Sequence, residues 1–410
     1  MKRTAIRPAY GSYLLSAAVV LTVGSALLQD GLVRAAVSCW SLLVLVMVAA
    51  ALDRIEFDGR TISRRGPLAF LLSRLARVRQ KLSISDVESI TTEAIRISFA
   101  GGDARLSYQT RISGEGVDVI IKSSRAGYIP FIRSLFLAAG PNKLDTRSFE
   151  LFEYFEAGKA IKGSPVLRND IALMPVSRLR SLGNSLRLAG RLAQASSYFR
   201  IAYEKEPRNP ELLYEMARFF HSSARPEDAR LLQRSDACLR LASRLASKEP
   251  HLLERIGEAF VERFDYKRAA DCFRRALEFD PARFRANIGL AEIALRDGKL
   301  AHVAHYYGAA AGNGDRALAR MAKREAHYYE RLIADEEFLE SELRRISLSN
   351  YLKWGQRASA LIFLGAWLAA GIAGRFSSMV EDFGLAMMAT SGLVWFAATM
   401  AFRHFRQRTA

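Results

Sequence analysis

The chain has 410 residues, long enough for two or three domains with their own cores. Half its residues are hydrophobic and a quarter charged, a mix that suggests a soluble part joined to apolar spans, and the net charge of +18 suits nucleic acid or an anionic membrane surface. Three cysteines, Cys39, Cys238 and Cys272, form no CxxC pair and no paired framework, which is ordinary for a reducing compartment and offers no zinc site.

Four segments are apolar over about the length a bilayer core requires: residues 11–28, 35–52, 358–374 and 384–402. The first two are joined by "QDGLVR" and the last two by "RFSSMVEDF", so residues 1–53 and 357–410 each read as a transmembrane hairpin. The alternative for the first segment is a cleaved signal peptide, and the second apolar segment directly after it argues against that. Lys2, Arg3, Arg7, Arg54, Arg60, Arg64, Arg65, Lys353, Arg357, Arg403, Arg406 and Arg408 lie on one side of these segments. By the positive-inside rule, both termini and the middle of the chain are expected in the cytoplasm of a multi-pass inner-membrane protein.

From Arg54 the pattern turns to strands. "RIEFDG" and "RTISRR" flank Asp58-Gly59, a hairpin signal. "LSISDVESITTEAIRISFAGGDARLSY" alternates around a second turn at Gly101-Gly102, "VDVIIKS" reads as a further strand, and "YIPFIRSLFLAAG" as a closing helix that ends at Gly140. Residues 54–140 are expected to form a small β-sandwich or barrel with a helix plugging one end. This segment resembles the bacterial pleckstrin-homology-like domains that follow a membrane hairpin. Between its strands lies "RRGPLAFLLSRLARVRQK". Its basic residues Arg74, Arg77, Arg79 and Lys81 either touch an anionic lipid surface or form the solvated side of a helix packed on the β domain.

Residues 141–175 read as a linker. The next stretch repeats itself: Leu182, Gly183, Ala195, Phe199, Ala202 and Pro207, with Gly190 inside the motif, return as Ile256, Gly257, Ala269, Phe273, Ala276 and Pro281. Looser copies run through Leu213, Ala217 and Phe220, and through Leu290, Ala291, Gly298 and Ala310. The spacing describes pairs of antiparallel helices, with small residues where the helices approach and a phenylalanine between them. It resembles the tetratricopeptide family over residues 176–312, and residues 176–335 are expected to form an all-α solenoid ending in a capping helix. Residues 336–356 read as a juxtamembrane helix.

In that family the first helix of each repeat lines a groove. The resemblance places Arg180, Asn184, Arg187, Tyr214, Arg218, His221, His251, Glu254, Glu258, Ile288, Glu292 and Arg296 there, as solvated surface or as a protein-binding face. Arg180 and Asn184 match a carboxylate-gripping pattern of one branch, but Glu215 stands where that branch needs asparagine, so the clamp is broken. No phosphate loop, dinucleotide fingerprint, HExxH or GxSxG is present. His302 and His305 lack a third ligand, and Glu254 with Glu258 read as groove surface. The expectation is a non-enzymatic inner-membrane scaffold without cofactor or metal. Its repeats hold a protein partner, its lipid contacts are with the membrane, and nucleic acid is not expected. The rivals are a subunit of an envelope export or exopolysaccharide-secretion machine, and a subunit of a transporter or membrane enzyme.

Overall fold

In the computed structural model, residues 4–7, 33–67, 79–98, 104–124, 127–161, 173–224 and 227–373 are described continuously, with scattered positions between 17 and 31, at 70, and between 379 and 401. The chain divides into two units, residues 1–327 and 328–410.

The first unit opens on strands. Strand β1 is Thr4–Ile6, and after helix α1, Val33–Leu52, come β2 Arg54–Phe57, β3 Thr61–Arg65 and β4 Lys81–Ser83. They form an antiparallel sheet in the order β1-β2-β3-β4. The β2–β3 turn is closed by Asp58, whose carboxylate accepts from the amides of Arg60 and Thr61 at 2.9 and 2.7 Å, while Gly59 supplies a φ of 93°. A second antiparallel sheet holds β5 Ser89–Ser98, β6 Ala104–Gly114 and β7 Val117–Lys122. Helix α2, Tyr128–Ala139, sends Phe131, Ile132, Leu135 and Phe136 into one apolar cluster with Ile55, Phe57, Ile62, Ile90, Ile112 and Ile121. Both sheets therefore share a core that α2 completes. The β1 strand lies outside the expected domain of residues 54–140, yet Ile6 is buried in the same core.

The expected membrane spans require correction. Among the described residues, no helix is long and apolar enough to cross a membrane. In α1 the uninterrupted apolar run is the eleven residues from Leu42 to Leu52, because Ser38, Cys39, Trp40 and Ser41 precede it. The third expected span falls in the last helix, Glu336–Ala373, whose apolar part covers sixteen residues from Ala358 after a strongly charged beginning. Both runs are shorter than the roughly 17–25 residues a bilayer core needs. The first expected span falls mostly, and the fourth partly, outside the described residues. The fold is mostly helical with two small sheets, and the multi-pass membrane fold, the membrane classification and the inner-membrane location are withdrawn.

The segment read as a linker is not only that. It contains helix α3, Thr146–Ile161. Four antiparallel pairs follow: α4 Val176–Leu188 with α5 Leu192–Lys205, α6 Pro210–Ser223 with α7 Ala229–Leu245, α8 Pro250–Val261 with α9 Tyr266–Leu277, and α10 Phe284–Arg296 with α11 Leu300–Ala310. Helix α6 starts where Asn209 accepts from the amide of Leu212 at 3.0 Å and Pro210 fills the first turn. Within the pairs, glycine lets an aromatic ring touch backbone. A methyl group on Gly183 would meet the Phe199 ring at 3.0 Å. Phe273 is held more tightly, since a methyl on Gly257 or on Gly289 of the next pair would lie 2.6 or 2.4 Å from its ring. Phe273 thus ties α8, α9 and α10 together, fully buried.

The turns inside the pairs reveal one strained position. Gly190 and Gly298 sit just past α4 and α10 with φ of 78° and 74°, donating to the carbonyls of Arg187 and Leu295. After α8 the same place, with the same hydrogen bond to Val261, is taken by Phe264 at φ 62°. A bulky side chain in this region is costly, and Phe264 is 77% exposed, so burial does not offset the strain.

Helix α12, Arg316–Ala334, follows the array, and in the second unit its end meets α13, Glu336–Ala373. Asp335 accepts from the amide of Phe338 at 3.0 Å, and Arg331 lies 4.3 Å over the Phe338 ring. The Tyr328 hydroxyl donates to Glu342 at 3.1 Å, which fixes the turn between the two helices.

Two substitutions test this packing by thermal denaturation of the full chain. Phe264→Gly is expected to stabilise the first unit by about 1 kcal/mol, because glycine relieves the strain that its two sister turns avoid. Phe273→Ala is expected to cost about 3–5 kcal/mol, as deletion of a buried aromatic ring does. A melting temperature lowered by the first change or left unchanged by the second would contradict this account.

Candidate functional site

The first helix of every pair, α4, α6, α8 and α10, turns one face toward α3 and the turn before it. At the centre is Glu150 on α3, 1% exposed. Its carboxylate accepts from Nη2 of Arg187 at 2.8 Å and from Nε of Arg218 at 3.0 Å, and the Tyr214 hydroxyl lies 3.5 Å away. Asn184 positions Arg187 by accepting from its Nη2 and Nε at 2.6 and 2.8 Å. Arg218 also pairs with Glu262. Burial alone would push the Glu150 carboxyl up, but Arg187 and then Arg218 outweigh it and hold the pKa at about 2.

Next to this pair lies a third guanidinium. Arg255 is sandwiched between the rings of Phe149 and Tyr214, at 5.1 and 4.8 Å from their centroids. Its Nη2 is 3.6 Å from Glu153, and Nε and Nη2 have no hydrogen-bond acceptor. Burial acts against its charge, yet Tyr214, Glu153 and Glu150 together raise its pKa. Further along, Arg285 donates to Thr146 Oγ1 at 3.1 Å and to Glu258 at 2.7 Å. The Tyr108 hydroxyl donates to the carbonyl of Leu188 at 2.7 Å, so the β unit also reaches the first pair directly.

The structure brings together most of the sequence-predicted groove residues, but as a covered surface. Asn184, Arg187, Tyr214 and Arg218 are buried beneath α3. Arg180 pairs with Glu211 and with Glu215 at 3.1 Å, so the residue that breaks the carboxylate-gripping pattern neutralises its arginine. Glu254 is buried against Arg283 at 2.8 Å, which also contacts His251, and Glu258 faces Arg285. Ile288 is half-buried. Only His221, His251, Glu292 and Arg296 remain exposed, and Arg296 stacks on Tyr266 at 3.6 Å. Of the four basic residues predicted between the strands, Arg74 and Arg77 lie outside the described residues, Arg79 pairs with Glu115 at 2.9 Å, and Lys81 begins β4.

Sequence reading missed Glu150, Phe149, Arg255 and Arg285 as partners of this face. The string "FELFEYFE" carried the signal, since it alternates acids and rings at helical spacing. It was hidden because the segment was read as a linker. A cavity of about 710 Å³ remains beside α3, lined by Phe149, Glu153, Arg255, Arg283, Phe284 and Arg285 among others, with Glu249 and His251 at its exposed side. Among the described residues, no group of three or more histidine, cysteine or carboxylate side chains is placed to hold a metal ion.

No protein-family model matches the chain, and no curated protein matches it either.

The Glu150 pair has a pH signature. Its folded pKa is depressed from 4.5 to about 2, so its contribution is present above pH 4.5 and lost as the pH falls toward 2. That contribution is on the order of 3 kcal/mol. Glu150→Gln is expected to destabilise the full chain at pH 7, since it leaves two guanidinium groups buried without their carboxylate. It should also flatten the stability–pH curve between 4.5 and 2. An unchanged acid limb in the variant would show that Glu150 is not the titrating group.

Proposed function

We propose that this protein is a non-catalytic scaffold whose tandem helix pairs, of tetratricopeptide type, bind a protein partner along the face of α4, α6, α8 and α10. The observation that carries this reading is the seating of α3. The face already receives a helix, and it does so through a fixed acid–guanidinium contact between Glu150, Arg187 and Arg218 rather than through an apolar core. Contacts of that kind select by charge and geometry. The strand unit, of pleckstrin-homology-like type, serves in this reading to hold α3 against the face. No cofactor has a role in it.

The cavity beside α3 is where a partner reaches the face without displacing anything. Glu249 and His251 line it and are exposed, so changing them leaves the cores intact. Affinity capture with the full chain as bait, followed by reconstitution with the purified partner, tests the proposal. A stoichiometric protein partner is expected. Its retention should fall at least tenfold with Glu249→Lys combined with His251→Ala, while the melting temperature of the bait stays the same. Retention unaffected by the double change would place the working surface elsewhere on the chain.

A further inference from the structure

The join between the β unit and the helix array is built differently from either body. The β unit has one apolar cluster, which includes Leu151 of α3, and the array has two. Among the described residues, none of the three clusters crosses the join. What crosses is polar: Glu150 with Arg187 and Arg218, Arg285 with Thr146, Lys143 with Asp315 at 3.3 Å, and Tyr108 with the Leu188 carbonyl. At the far end, on α12, Arg320 pairs with Asp86 at 2.7 Å and with Glu115 at 3.2 Å, and Arg324 pairs with Glu88 at 3.2 Å. The arginines of this outer group are 49% and 41% exposed. Exposed pairs of this kind hold weakly, and a polar interface within a chain is one across which bodies move.

The face under α3 also carries more positive charge than α3 neutralises. Three guanidinium groups, from Arg187, Arg218 and Arg255, converge on Glu150; Glu262 also pairs with Arg218, and Glu153 and Glu215 also act on Arg255. Tyr214 and Phe149 flank the Arg255 plane on two sides. The part of α3 that answers this face is short: Phe149, Glu150 and, one turn later, Glu153.

We propose that the join opens as a unit, and that the face of α4, α6 and α8 then takes in trans a helix carrying phenylalanine–glutamate with a second glutamate one turn later. Helix α3 is the internal competitor for that site. The inference rests on the reading of the protein as a partner-binding scaffold, and it adds a second ligand, one that enters by displacing α3 rather than through the cavity beside it. The Arg320 and Arg324 pairs act as the outer latch, and the Glu150 contact is the part that ligand and α3 compete for.

A labelled peptide with the sequence of residues 146–161, TRSFELFEYFEAGKAI, is the probe. It is titrated against the full chain and against the Arg320→Glu, Arg324→Glu double variant, whose changed side chains lie outside the three apolar clusters. The peptide is expected to bind the latch variant at least tenfold more tightly than the unmodified chain. A peptide carrying Glu150→Lys should lose that binding. Amide hydrogen exchange within residues 146–161 of the chain should accelerate in the variant, which reports opening independently of any peptide. Unchanged exchange overturns the opening. Accelerated exchange without peptide binding, or equal binding of the Glu150→Lys peptide, overturns the ligand chemistry. Neither result depends on whether a cellular partner is captured at the cavity, so failure here is distinguishable from failure of the scaffold reading.

Discussion

A single carboxylate organises the first unit. Glu150 comes from a helix that belongs, by its apolar contacts, to the β unit, and it is satisfied entirely by side chains of the helix array. Moving a charge out of water is expensive, and only the two guanidinium groups and their own partners, Asn184 and Glu262, make its burial tolerable. The position of α3 on the array is therefore set by geometry rather than by area. A shift of one residue along α3 would place Phe149 or Leu151 against Arg187 and leave charges buried without counter-charge. The remaining contacts across the join, from Tyr108 at one end to Arg320 at the other, extend a register that Glu150 defines.

Within the array the ordering principle is steric. Phe273 occupies space that Gly257 and Gly289 leave open, and Phe199 does the same against Gly183. Interiors are close-packed, so each ring reports the distance between two helix axes. The array is thus rigid where it is apolar and selective where it is ionic. The proposed partner-binding role draws on both, because a pre-organised set of guanidinium groups loses little entropy when a carboxylate arrives.

The helix pairs were legible because their signal is local and periodic: Gly183, Ala195, Phe199 and Ala202 repeat as Gly257, Ala269, Phe273 and Ala276. The hairpin at Asp58-Gly59 and the helix ending before Gly140 were legible for the same reason. Strand β1 was not, since three residues carry no period, and its role comes from its pairing with β2 and the burial of Ile6 in the core. The resemblance set the groove residues on the first helix of each pair, α4, α6, α8 and α10. Their burial was not readable, because it depends on a helix that contacts them from 37 residues before Arg187 and 68 before Arg218. The expected membrane spans rested on composition over long windows; serines, cysteine and tryptophan shorten the apolar run of α1 to eleven residues, and in α13 the apolar part that follows the charged first half covers sixteen. Phe264 reads as an ordinary aromatic residue until its backbone is compared with those of Gly190 and Gly298.

Strands β1 and β2 are immediate neighbours in their sheet, Ile6 opposite Ile55, although 48 residues lie between those two partners in the chain. Neighbouring strands are about 4.8 Å apart. Everything from residue 7 to residue 53 is thus, in topological terms, the loop of a β-hairpin, with its two ends pinned side by side on a finished core. An insertion anchored in this way behaves as a cassette. Its length and composition are free to diverge, or to be exchanged for another segment, while the sheet beneath it sees the same two attachment points.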